Sequence, residues 1–275
     1  MTTDAVQYER MTPREVCAAR DRAPVVYVPV GPLEWHAEHL PLGTDPIHAH
    51  HIACGAAQRT GGVVLPPAFI GTDSRRPPGN VEEGLGPFDL PDDAEVVGMD
   101  LPGFSVRSLY FHETLFGLVV RETVRMLKRE AWSVVVLVNG HGAPNQARML
   151  ERIADEESER PAREVIYATA WDPDAADPDA GPGHADRYEA SVMLAIDEPL
   201  VHLDRLPAAP APLHYKNHGI VDGPAFDGRP SNDFSVREYA DPRGSTRAEG
   251  ERYVAGEVRR MERIVGQALA RTAGA

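Results

Sequence analysis

The chain has 275 residues, 42% of them hydrophobic and 25% charged, with a formal net charge of -14. That balance excludes wholesale disorder and is ordinary for a folded protein. The acidic excess argues against a nucleic-acid partner, whose phosphates require Lys and Arg, and no apolar run approaches the roughly 18–20 residues of a membrane span.

The N-terminal stretch "MTTDAVQYERMTPREVCAARDR" has no apolar signal core, so a cytoplasmic location is expected. Cys17 and Cys54 lie outside any CxxC spacing, which predicts neither a disulfide framework nor a Cys-based metal site. The first element after this stretch is "APVVYVPVG", an apolar β-branched run ending at Gly31 that reads as a buried strand. Residues 45–62, "DPIHAHHIACGAAQRTGG", read as a helix, with Asp45 a candidate cap and Gly61 a stop. "VVLPPAF" reads as a second, short strand.

Residues 71–112 are too rich in Pro and Gly for a continuous helix, and a loop of that length predicts a lid, a binding loop or an assembly arm. "ETLFGLVVRETVRMLKREAW" is strongly amphipathic, and its apolar face is read as Leu115, Phe116, Val119, Thr123, Met126 and Leu127. "SVVVLVNG" is a continuous β-branched strand of the kind covered on both faces in a parallel sheet. A helix ("APNQARMLERIADEESER"), a strand ("REVIYATAW"), a short helix ("ADRYEASVMLAI"), an irregular stretch over 207–245 and a terminal helix ("TRAEGERYVAGEVRRMERIVGQALART") complete the order. There is no internal repeat and no linker between two cores. The alternation predicts one layered α/β domain spanning 1–275, with a mostly parallel sheet flanked by helices.

In such sheets ligands gather beyond the carboxyl ends of the strands. Three segments with metal-type donors fall there: "LEWHAEHLPLGTD", "VNGHGAPN" and "GPGHADRYEAS". Glu34 and His36, one residue apart, share a face in extended chain. Asp45 follows at a loop-to-helix start, from where a carboxylate can bridge two cations, although an N-cap role is the simpler reading. His141 is delivered by a buried strand onto a glycine-flanked turn, and His184 and Glu189 lie five apart across a loop-to-helix junction. Mixed imidazole and carboxylate donors suit Zn, Mn or Fe rather than Mg or Ca. His39 is read as supporting a ligand. His48, His50 and His51 are read as solvated or packing residues, and His112, His202, His214 and His218 belong to no pattern, though His214 and His218 could border a pocket.

Together, "VPVGPLEWHAEHLPLGTD", "VNGHGAPN" and "GHADRYEAS" resemble, in order and over about residues 25–195, the creatininase (creatinine amidohydrolase) family motifs G-S-x-E-Q-H-G-x-H-L-P-x-x-T-D, N-G-H-G-G-N and H-A-G-x-x-E-T-S. The resemblance implies a parallel-sheet α/β domain, a homo-oligomer that is commonly hexameric, and a divalent metal centre of one or two ions. It implies Glu34, His36, Asp45 and His141 as metal ligands with Asp45 bridging, Glu189 completing the site, and His184 in proton transfer with Glu189. Three positions depart from the pattern. Creatininase itself is similar to N-G-H-Y-E-N, with an acid where this chain has Ala143. Trp35 replaces Gln and Ala37 replaces Gly, which marks Trp35, with His39, as candidate substrate-pocket residues and makes creatinine a poor default substrate.

The function implied is metal-dependent hydrolysis of a carbonyl in a small non-peptide amide, cyclic forms included, by C–N cleavage. Within the same family the alternatives are a formamide hydrolase, a small-peptide peptidase and a keto-cyclitol ring hydrolase. Outside it stand a catalytically inactive ligand-binding descendant and a metal-dependent phosphoesterase, the latter supported locally only by Arg75 and Arg76.

Overall fold

A computed structural model describes residues 3–76, 96–100, 103–173, 183–216, 219–226 and 240–274. In chain order the elements are α1 (Pro13–Arg22), β1 (Val25–Val30), α2 (Thr44–Thr60), β2 (Val63–Val64), β3 (Arg75–Arg76), β4 (Val96–Val97), α3 (Glu113–Arg129), β5 (Val134–Asn139), α4 (Pro144–Glu157), β6 (Glu164–Thr169), α5 (Arg187–Asp197), β7 (Tyr215–Lys216), β8 (Gly219–Ile220) and α6 (Arg247–Ala273).

Four strands form the central sheet in the order β2-β1-β5-β6, and every pairing is parallel. Strands β1 and β5 are buried along their whole length, as their unbroken apolar sequences require. Successive side chains of a strand point to opposite faces, and the register sets Val25 beside Val134. Val25, Tyr27, Val134, Val136 and Val138 therefore enter one core with Ile52 of α2 and Met261 and Val265 of α6. Val26, Val28, Val30, Val135 and Leu137 enter the other with Phe116, Val120 and Val124 of α3 and Leu150 and Ile153 of α4. Burying each such side chain contributes on the order of 1.5–3 kcal/mol, so both faces hold the sheet.

Helix α2 meets that first core with Ala49, Ala53, Ala56 and Ala57, all buried. Small residues let α6 approach closely: a Cβ on Gly55 would stand 2.6 Å from Val258 Cγ2. Helices α5 and α6 begin at side-chain caps, Asp186 accepting from the Glu189 amide and Thr246 from the Glu249 amide.

Several sequence-based expectations change. Asp45 is not a cap: Gly43 precedes α2 without a side-chain bond, and Asp45 lies in the first turn with its carboxylate turned elsewhere. The second strand shrinks to Val63–Val64 because Pro66 and Pro67 lack the amides a ladder needs, and beyond them the chain rejoins the sheet where Ala68 bridges Val30. On α3 the buried face is Phe116, Val120, Val124 and Leu127, whereas Leu115, Val119 and Met126 are exposed. The helix is apolar around more than one stripe, so periodicity alone left the choice between adjacent stripes to packing against the sheet and α4.

In the long 71–112 segment, β3 and β4 pair antiparallel, Arg75 opposite Val97. Residues 77–95 and 101–102 of that segment, and His218, lie outside the described residues. Among the described residues, no helix is long and apolar enough to cross a membrane.

Candidate metal centre

The loop after β1 carries Glu34 and His36, the first turn of α2 carries Asp45, and the turn after β5 carries His141, so three elements converge at the carboxyl edge of the central strands. The approach to α5 brings His184 and its first turn Glu189 to the same place. Glu34, His36, Asp45 and His141 are almost wholly buried.

His36 Nε2 stands 3.1 Å from Asp45 Oδ1 and 3.6 Å from Glu189 Oε2. His141 Nδ1 is 3.0 Å from Asp45 Oδ2 and 3.1 Å from Glu34 Oε2, and its Nε2 is 3.5 Å from Asp73 Oδ2. Asp45 thus turns one oxygen to each imidazole. His184 Nδ1 is 3.9 Å from Glu34 Oε2, and its ring lies 4.3 Å from that of His36.

Backbone carbonyls decide two tautomers. His36 Nδ1 is 3.0 Å from the Glu34 carbonyl, which can only accept, so Nδ1 carries the proton and the lone pair of Nε2 faces Asp45 and Glu189. His184 Nε2 donates in the same way to the Trp35 carbonyl, which leaves Nδ1 as the acceptor. Asn139 locks the β5 turn, receiving the His141 amide at 3.1 Å and donating to its carbonyl at 2.8 Å, and Gln146 in turn donates to Asn139 at 2.8 Å. Tyr110 donates to Glu34 Oε1 at 2.5 Å.

Gly140 permits the closest approach in the site. A Cβ there would stand 2.0 Å from the Asp45 carbonyl oxygen, a backbone atom that cannot swing away. Gly140→Ala is expected to lower stability by about 1–3 kcal/mol through overpacking and turnover by about 10²-fold through displacement of Asp45 and His141. A thermal melt and a steady-state assay check both, and an unchanged melt would show that the turn yields freely.

The electrostatics describe an excess of negative charge. Against its burial, Asp45 and Glu189 push the His36 imidazole up to about 10. His141 is also raised, again despite burial, by Glu34, Asp45 and Asp73. Opposing their own burial, Glu34 and Asp45 are held below the ordinary carboxylate range by the facing imidazoles. Burial pushes Glu189 up to about 8. Four carboxylates here surround two imidazoles, so one carboxyl keeps its proton unless further positive charge arrives.

A cleft of about 500 Å³ opens over these groups, and Met99, Trp171, Tyr188 and Tyr215 also line it. Trp35 and His39 are not among its lining residues. The Trp35 ring stacks on Phe104 at 4.1 Å and donates to the Ile220 carbonyl, so bulk and burial took it into an aromatic cluster, and only its backbone carbonyl serves the site. His39 is fully buried, and its ring nitrogens make no hydrogen bond to any ligand-type side chain.

Asp73, Tyr110, Trp171 and Tyr188 join the site without having been singled out in the sequence, and His48, read there as solvated or packing, joins them. For His48 the usable signal was its place three residues after Asp45, on the same face of a helix. Of the two readings the structure bears out packing: His48 is buried, its Nε2 is 2.9 Å from Glu257 Oε2 of α6, and Tyr188 donates to the other oxygen of the same carboxylate. Glu257→Ala would leave both partners buried without their acceptor, an expected loss of about 3 kcal/mol by analogy with one-sided disruption of buried pairs. Urea unfolding measures it, and a change below about 1 kcal/mol would mean that solvent replaces the carboxylate.

A parallel α/β layer with imidazoles and carboxylates gathered at its carboxyl edge has the make-up of a metal-dependent hydrolase. The family profile of creatininase, described as creatinine amidohydrolase, matches residues 9–82 and 106–265. The chain belongs to the creatininase family, whose members are metal-dependent amidohydrolases. Its fold is similar to a crystal structure of creatinine amidohydrolase (creatininase), with a TM-score of 0.65, 22% identity, and 96% of this chain and 98% of that one covered. It is also similar to a manganese creatininase (TM-score 0.66, 21% identity, 96% and 98% covered). A mutant creatininase of Zn–Zn type gives a TM-score of 0.65 at 19% identity, again with 96% and 98% covered. Comparison with curated proteins gives no match.

Proposed function

We propose that the protein hydrolyses the C–N bond of a small non-peptide amide, cyclic forms included, at a centre of one or two divalent cations held by Glu34, His36, Asp45, His141 and Glu189. The observation that carries this reading is the state of the two imidazoles. His36 Nε2 and His141 Nε2 are buried, face carboxylates, and have no hydrogen-bond partner. A buried ring nitrogen without a hydrogen bond, set among carboxylates, is satisfied when a cation takes its lone pair. The donor set accommodates Mn, Zn or Fe.

A divalent cation at such a centre supplies Lewis acidity, polarising a carbonyl and bringing the ionisation of water into the neutral range. The remaining work falls to the chain. The Glu34 carbonyl keeps His36 in the tautomer with a free Nε2, and Asn139 holds the His141 turn rigid. Burial pushes the His184 imidazole down to about 4, and with Nε2 donating to the Trp35 carbonyl, Nδ1 is the ring nitrogen left to accept a proton. From there His184, with Glu189, passes the proton to the departing nitrogen. Carboxylates, imidazoles and aromatic rings, rather than Lys or Arg, line the described part of the cleft, which favours an uncharged or cationic amide over a phosphate ester. Its volume suits a small substrate.

The test is a metal-replete screen of lactams, formamides, cyclic ureides and keto-cyclitols with product mass as the readout. A product of C–C cleavage would move the chain to the keto-cyclitol alternative. Absence of any tightly held divalent ion would sink the enzyme reading and favour a ligand-binding descendant.

Self-association belongs to the same reading. Helix α3 exposes Leu115, Leu118, Val119 and Met126 along one stripe, Leu118 at 61%. Leu118→Glu is expected to lower the assembly state in sedimentation velocity, and a monomeric wild-type chain would remove the proposal.

A further inference from the structure

Three groups of three donors gather in the site, Glu34, His36 and His184 among them; the other two share no residue with each other, His36, Asp45 and Glu189 on one side and Glu34, Asp73 and His141 on the other. Within each, one donor atom from every residue lies within 4.8 Å of the others. We infer that Asp73 is the carboxylate donor of a second cation position, completing with Glu34 and His141 a site next to the one formed by His36, Asp45 and Glu189. The inference rests on the metal-centre reading above and specifies how this chain holds a second ion.

Three independent observations support it. The first is the orientation of Asp73: its Oδ1 accepts from the Ser74 amide at 2.5 Å, so Oδ2 is the oxygen left to turn toward His141. The backbone at Gly98 closes behind that oxygen, since a Cβ there would stand 2.4 Å from Oδ2, and Gly98 has a φ of 54° that other residues rarely adopt. The second is the target of that oxygen. His141 Nε2, in a residue 4% exposed, lies 3.5 Å from Asp73 Oδ2 with no hydrogen bond to it or to anything else. Two groups aimed at each other without bonding leave space suited to an ion that both would touch. The third is charge. Glu34, Asp45, Asp73 and Glu189 together carry four negative charges when ionised, which two divalent cations balance and one does not.

Asp45 lies between the two imidazoles, with Oδ1 toward His36 Nε2 and Oδ2 toward His141 Nδ1, the ring nitrogen on the Glu34 side. The residue two places after His141 is Ala143, which offers no donor. Asp73 brings the missing carboxylate from a different part of the chain, the loop leading into β3.

The experiment is metal stoichiometry by plasma mass spectrometry on dialysed protein, calorimetric titration with Mn(II), and electron paramagnetic resonance of the Mn(II)-loaded protein. Wild type is expected to hold two ions per chain and to show the exchange-coupled spectrum of a pair. Asp73→Asn should hold one, with the isolated six-line spectrum and affinity for the second ion weakened at least about 100-fold, beyond the effect of losing an outer-shell partner. Asp73→Glu, which keeps the carboxylate, should restore the second ion. Circular-dichroism melts confirm that each variant is folded, and Asp73→Ser replaces Asp73→Asn if asparagine disturbs the loop. If Asp73→Asn binds as many ions as wild type, with unchanged affinity, Asp73 is not a donor and the inference fails. A wild-type chain that binds no divalent ion overturns the metal-centre reading itself, and the two failures are therefore distinct.

Discussion

His141→Ala is expected to lower kcat/KM by at least about 10³-fold on any verified substrate, the equivalent of roughly 4 kcal/mol of lost Lewis-acid stabilisation. His141 is the one imidazole that faces Glu34, Asp45 and Asp73 together, so no neighbour can take over its place. The fold should survive, because both cores lie along the sheet and the side chain belongs to neither. Metal content should fall with activity. A variant that keeps wild-type turnover at full metal loading would show that His141 is not a ligand.

His184→Ala should behave differently. A group that moves a proton contributes about 10²–10⁴-fold, so kcat should drop by that amount while metal per chain stays unchanged. The structure offers a competing role, since His184 stands within donor distance of Glu34 and His36. Its hydrogen bond to the Trp35 carbonyl leaves only Nδ1 for either task. Metal analysis separates the two: loss of an ion on substitution would make His184 a ligand, and retention with a collapsed kcat would leave it the proton carrier.

Much of the architecture was legible because it is written locally. An unbroken β-branched run such as "VVVLVN" can satisfy its side chains only where both faces are covered, and the structure places it in the middle of a parallel sheet. Helix α5 was legible as "ADRYEASVMLAI", and the structure starts it at Arg187, after the Asp186 side chain caps it. The face of α3 was not legible, because its apolar residues span neighbouring stripes and only the position of α4 and the sheet selects between them. Nor was the fate of Trp35. An indole between two acid and imidazole donors reads as a pocket wall, but Phe104 and the Ile220 carbonyl, distant in sequence, offered it stacking and a hydrogen bond.

The sequence by itself determined the class of the fold, the family, and the residue types that meet at the carboxyl edge: Glu34, His36, Asp45, His141, His184 and Glu189. The fold class followed because strand and helix periodicity, and turns rich in Gly, act over a few residues, whereas the family and the site residues followed from the resemblance of three ordered motifs. Only the tertiary structure decided that His48 is buried against Glu257, that Trp35 leaves the cleft, and that Asp73 turns an oxygen to His141. Those outcomes depend on residues tens to hundreds of positions apart meeting through the register of β1 with β5 and the paths of the loops beyond them. Such proximity leaves no mark in the local pattern of the chain.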